Sequence, residues 1–93
     1  MDEQVESWMH QIRTLAPLIE KTEYLVFKNE ADVKQLLAVL KLKALADGMK
    51  TTSAQETWAE SSDELYNARL RVGEAKGGLS AIKIQLRALE VGF

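Results

Sequence analysis

The chain has 93 residues, so it forms a single small domain, and a second independent core is excluded. Twelve basic and fourteen acidic side chains give a net charge of -2, which excludes a global positive field that would draw the chain to nucleic acid or to an anionic membrane. There is no cysteine, so disulfides, thiol nucleophiles and zinc fingers are excluded as well.

The N-terminus is acidic where a signal peptide would be basic, and no apolar segment follows it. The longest unbroken apolar run, residues 36–40, is far shorter than the roughly 18 residues that cross a bilayer. We therefore expect a soluble protein without membrane contact, and the cytoplasm as its default location.

The first half of the chain carries a heptad pattern, in which apolar residues alternate at spacings of three and four and so lie on one helix face. The pattern comprises Val5, Trp8, Ile12, Leu15, Ile19, Thr22, Val26, Asn29, Val33, Leu36 and Leu40. Pro17 lies within this pattern and does not change its phase, which favours one kinked helix. Proline also removes a helical hydrogen bond and restricts Ala16 before it, which favours a break. The spacing predicts either a short helix at about 3–14 and a long helix at about 17–46, which we favour, or one kinked helix.

A turn is expected after Asp47, because Gly48 is a natural helix terminator. Thr52 and Gln55 have the spacing of a capping box, which predicts a short helix at about 53–60. Ser61 and Glu64 repeat that spacing and predict a last helix at about 62–91.

The last helix carries two stripes. The first continues the heptad alternation through Leu65, Ala68, Val72, Ala75, Leu79, Ile82, Leu86, Leu89 and Phe93. The second consists of small or apolar residues, and we predict that it is a face for self-association or for a partner: Tyr66, Leu70, Gly73, Gly77, Ala81, Ile84 and Ala88. So wide an apolar arc predicts packing against more than one neighbour. The fold expected is an all-α, elongated, antiparallel, coiled-coil-like helical hairpin that forms a homo-oligomer, with a dimer favoured.

Three glycines fall within six positions of this helix, although each costs about 1 kcal/mol relative to alanine in a helix interior. Gly73 and Gly77 have the spacing that lets two helix backbones approach closely, and a local kink is the alternative explanation.

No motif for catalysis is present. Glu6 and His10 are one turn apart and offer two metal ligands, but no further histidine or cysteine completes a site. Ser61 and Ser62 lack a nucleophile elbow and a nearby base, and helix capping accounts for them. The sequence predicts a protein that is not an enzyme, with no catalytic residue, no metal site and no cofactor.

Arg69, Lys76 and Lys83 are spaced by seven and form a candidate nucleic-acid stripe. Neighbouring acidic residues dilute its charge, so a solvated face of ion pairs is the stronger interpretation.

Three segments carry a family resemblance: SAQETWAE at residues 53–60, Leu65 with Tyr66, and LRALEV at residues 86–91. The chain resembles a group of small helical proteins of bacteriophages and prophages, often encoded near replication and recombination genes. The resemblance implies either binding to a host or phage protein, or an accessory role in phage DNA replication or recombination. The chain departs from that group in its helical glycines and in stopping at Phe93, before the aromatic and basic tail in which a nucleic-acid contact is expected.

Overall fold

The computed structural model describes residues 2–91 and consists there of three helices, α1 (Glu3–Ala46), α2 (Thr52–Glu60) and α3 (Asp63–Val91). The prediction of an all-helical, elongated protein is confirmed for this part of the chain. Phe93, the last residue predicted for the first stripe of the last helix, lies outside the described residues.

The predicted break before Pro17 is wrong, because α1 is one helix of 44 residues that contains Pro17. The two helices expected at 3–14 and 17–46 are therefore a single element. Burial explains this, since Leu15 is only 8% exposed and Ile19 is partly buried. Packing on both sides of Pro17 keeps the chain helical despite the lost hydrogen bond.

The turn predicted at Gly48 is confirmed. Gly48 has φ 96°, a left-handed conformation that glycine adopts without a steric penalty. Its N–H donates to the carbonyl of Leu45 at 3.1 Å, and the N–H of Met49 donates to the carbonyl of Ala44 at 3.0 Å. These two bonds form a Schellman motif, which satisfies the carbonyls at the end of α1.

The capping residues of the two following helices differ from the prediction. Thr51, not Thr52, is the N-cap of α2, and its hydroxyl oxygen accepts a hydrogen bond from the N–H of Ala54 at 3.1 Å. Gln55 donates instead to the carbonyl of Met49 at 3.0 Å. Ser61 ends α2, and its hydroxyl donates to the carbonyl of Trp58 at 2.7 Å rather than capping α3. The helix bounds themselves lie within one residue of those predicted.

The heptad residues of α1 and α3 form the contact between the two helices. All eleven predicted positions of α1 are buried or partly buried, and so are the eight described positions of α3. Contacts join early residues of α1 to late residues of α3: Trp8 to Leu89, Glu23 to Lys83 and Glu30 to Lys76. The two helices therefore run side by side in opposite directions.

A compact cluster closes the end at which α2 lies. Leu40, Ala59 and Leu65 are its buried members, and Trp58 packs against them from α2. Leu65 is fully buried, which places the start of α3 firmly against α1 and α2.

The molecule measures 71 × 16 × 16 Å, and its radius of gyration is 20.3 Å. A compact chain of this length would have a radius of gyration of about 12 Å. The long helices thus leave much of their surface unpaired within one chain.

Candidate interaction surface

The seven residues predicted as an interaction face lie on the side of α3 that faces away from α1, and all seven are exposed. We refer to Tyr66, Leu70, Gly73, Gly77, Ala81, Ile84 and Ala88 as the outer stripe. Its large side chains are well accessible, with Tyr66 63%, Leu70 46% and Ile84 68% exposed. The outer stripe is therefore an apolar helix face that is not covered within the described chain.

The glycines of α3 make no close packing contact within one chain. A Cβ atom built at Gly73, Gly77 or Gly78 would meet nothing within 4 Å among the described residues outside the local helix. The close approach predicted for Gly73 and Gly77 does not occur between α1 and α3, since α1 packs against the opposite side of α3. Packing among residues 2–91 of one copy therefore gives no reason for these glycines.

Each cation of the predicted nucleic-acid stripe lies beside a glutamate. Lys76 Nζ is 3.2 Å from Glu30 Oε1, and Lys83 Nζ is 3.7 Å from Glu23 Oε1. Arg69 forms a two-pronged pair with Glu60, in which Nη2 donates to Oε1 at 2.8 Å and Nη1 donates to Oε2. The stripe is thus a row of ion pairs that joins α3 to α1 and α2.

The Arg69 pair changes the acidity of both of its members. The hydrogen bonds from Arg69 lower the pKa of the Glu60 carboxyl, because they stabilise its charged form. The same bonds raise the pKa of Arg69. Both side chains are about half exposed, so solvent screens this interaction.

The residues considered for metal binding and nucleophilic chemistry are not assembled into a site. Glu6 and His10 are both exposed on the first turns of α1. Within residues 2–91, no group of three or more His, Asp or Glu side chains could hold a metal ion. No helix in the same part of the chain is both long enough and apolar enough to cross a bilayer.

A second set of exposed apolar residues, which the sequence predictions above do not include, lies on α1. Leu18, Leu25 and Val39 are each about 40% exposed and occur at multiples of seven residues beside the α1–α3 contact. Their common spacing was the signal that could have identified them. Asp32 occupies the remaining position of this row, so the row is interrupted by a charge.

Further apolar side chains of α1 point outward, including Phe27 at 72% and Leu42 at 66% exposure. They do not continue the row of Leu18, Leu25 and Val39, because they fall at other heptad positions. The outer stripe of α3 is the more continuous of the two apolar surfaces.

Comparison of the chain with protein-family models, with curated proteins and with solved structures finds no match.

Proposed function

We propose that this chain is a non-enzymatic interaction protein that forms a homodimer and binds a protein partner through its helical surface. In this dimer, α1 and α3 of each copy form an antiparallel, coiled-coil-like hairpin, and the outer stripe mediates self-association. The exposure of the outer stripe is the observation that carries the proposal, because contiguous apolar surface on a small protein marks interaction sites.

The solvent-exposed area of one chain is larger than that of a compact protein of the same mass, which supports an interface with another chain. The chain exposes 6941 Å², whereas a compact protein of its mass exposes about 5,400 Å². The excess of about 1,500 Å² compares with about 800 Å² that each partner buries in a standard interface. After a dimer interface of about 800 Å², about 700 Å² of this surplus remains for a smaller further contact.

The biological setting of the proposal comes from the resemblance at residues 53–60, 65–66 and 86–91. On that basis we place the protein in the cytoplasm of a bacterium that carries a phage or prophage, with a host or phage protein as its partner. Contact with nucleic acid is not part of the proposal, because Glu60, Glu30 and Glu23 each lie against one cation of the stripe expected to make it.

The test of self-association replaces Leu70 by Asp and measures the solution mass at several concentrations. The charged side chain would be buried in a dimer, so we expect at least a tenfold weaker dimer. Leu42→Asp is the matched control, since Leu42 is an exposed leucine of α1 outside the outer stripe. A dimer that survives Leu70→Asp but not Leu42→Asp would refute the outer stripe as the interface.

A further inference from the structure

The outer stripe has a symmetry of residue size about Gly77. Four residues away on either side are the small residues Gly73 and Ala81, and seven residues away are the large aliphatic residues Leu70 and Ile84. Intervals of four and seven residues correspond to about one and two helical turns, so all five residues fall along one line of α3.

Further from Gly77, a large residue on one side is matched by a small residue at the same distance on the other side. Eleven residues before Gly77 is Tyr66, and eleven residues after it is Ala88. Both are exposed, so the line has a bulky end and a small end at equal distances from its centre. Antiparallel packing of two such lines would bring each bulky end against a small end.

We propose that the outer stripe packs against the outer stripe of a second copy, antiparallel, with a two-fold axis at Gly77. This inference rests on the proposed self-association and specifies its register. Leu70 then lies opposite Ile84 of the second copy, and Gly73 lies opposite Ala81 of the second copy. Such an interface is isologous, because one patch of surface serves both subunits and the assembly closes as a dimer.

The glycines suit this arrangement. A Cβ at Gly73 or Gly77 would meet no atom within 4 Å among the described residues outside the local helix, so space for a second backbone is open along the centre of the stripe. Small residues at the crossing point of two helices let their backbones approach closely. The contact between copies thus gives these glycines the close packing that α1 does not provide.

Two amide side chains beside the stripe are compatible with the same register. Asn67 and Gln85 lie on one flank of the line, ten residues before and eight residues after Gly77. The two-fold axis brings Asn67 to nearly the same level as Gln85 of the second copy, where two amides can exchange hydrogen bonds. On the other flank, Arg69 approaches Arg87 of the second copy, and Glu60 already balances the charge of Arg69.

The position of α1 and the exposed area of each chain are both consistent with this dimer. Since α1 covers the opposite side of α3, the α3 helices would lie at the centre of a four-helix assembly with the α1 helices outside. The surplus surface of about 1,500 Å² per chain exceeds the roughly 800 Å² that a standard interface requires from each partner.

Disulfide trapping tests the register directly, because the natural chain has no cysteine and each variant carries one thiol. Leu70→Cys and Ile84→Cys are oxidised separately and as an equal mixture. Residues 70 and 84 of one helix are about 21 Å apart, whereas a disulfide requires Cα atoms within about 7 Å. We expect the mixture to form a covalent heterodimer at least tenfold faster than either variant forms a homodimer.

Faster cross-linking of Leu70→Cys alone would indicate parallel packing and would overturn the proposed register. Absence of cross-linking in a protein that remains dimeric by light scattering would also overturn it, while leaving self-association through another surface intact. A monomeric natural chain would overturn the inference and the proposed self-association together.

A second pair keeps the test valid if a cysteine within the stripe weakens the dimer. Asn67→Cys and Gln85→Cys each place one thiol beside the stripe. We expect a short bismaleimide to join residue 67 of one copy to residue 85 of the other when the two variants are mixed, and to join neither variant to itself. Joining of Asn67→Cys to itself at the same rate as the mixture would contradict the two-fold axis at Gly77.

Discussion

The indole Nε1 of Trp8 donates a hydrogen bond of 2.5 Å to the carbonyl oxygen of Leu89. This bond connects the first turns of α1 to the last turn of α3, across 81 positions of sequence. The end of the molecule distant from α2 is thus held by a specific polar contact as well as by apolar packing.

Replacing Trp8 by Phe keeps an aromatic ring and removes the indole donor. We expect a loss of about 1 kcal/mol in the free energy of unfolding, which is the net value of an ordinary hydrogen bond. Hydrogen exchange should also accelerate in residues 86–91 and remain unchanged around Leu65. Unchanged exchange in that last turn would contradict the role assigned to Trp8.

Alanine substitutions at Gly48 and Gly78 should have effects of opposite sign on stability. Gly48 has φ 96°, which costs a residue with a Cβ about 1 kcal/mol or more, so Gly48→Ala should destabilise the protein. Gly78 is helical and a Cβ there would meet nothing within 4 Å among the described residues outside the local helix, so Gly78→Ala should stabilise the protein by up to about 1 kcal/mol. Chemical denaturation measures the free energy of unfolding of both variants. A change in the same direction for both would contradict the left-handed conformation of Gly48 or the helical conformation of Gly78.

Pro17→Ala tests whether α1 is continuous. In the interior of a helix, proline costs about 3 kcal/mol, so alanine at this exposed position should stabilise the protein markedly. If a new helix instead began at Pro17, proline would be favourable there and the alanine variant would gain little or lose stability. The midpoint of thermal unfolding distinguishes the two results.

The ion pair of Glu60 with Arg69 predicts a dependence of stability on pH. The pKa of Glu60 is lowered in the folded protein, so the pair contributes fully above the ordinary glutamate pKa of about 4.3. That contribution is lost as the pH falls through the lowered pKa of the folded state. The stability difference between the natural chain and Glu60→Gln should therefore shrink on acidification.

Titration by NMR measures the Glu60 pKa itself, and Arg69→Gln should raise it toward its usual range. Arg71→Gln is the matched control, because it removes one positive charge from another exposed position of α3. A Glu60 pKa that does not respond to Arg69→Gln would show that the pair is absent in solution.

Much of the fold could be predicted because the spacing of apolar residues determines which helix face is buried. Spacing alone predicts that Leu65, Ala68 and Leu40 lie on the heptad face, and all three are buried. The outer stripe was predicted in the same way, since Leu70 and Ile84 recur seven residues from Gly77 on a different face.

The errors arose where a tertiary interaction outweighed a local preference. Pro17 is unfavourable in a helix by local criteria, but burial of Leu15 on one side of it offsets that cost. The ion pairs could not be assigned from the sequence either. Glu30 meets Lys76 only because of the register in which α3 lies along α1, and 46 positions separate the two residues in the chain.

The proposed dimer is best tested by light scattering of the natural chain, Leu70→Asp and Leu42→Asp over a hundredfold range of concentration. We expect a mass near twice the 10.4 kDa of one chain for the natural protein and for Leu42→Asp, and a shift toward the monomer for Leu70→Asp. A natural chain that stays at 10.4 kDa throughout would contradict the proposed dimer.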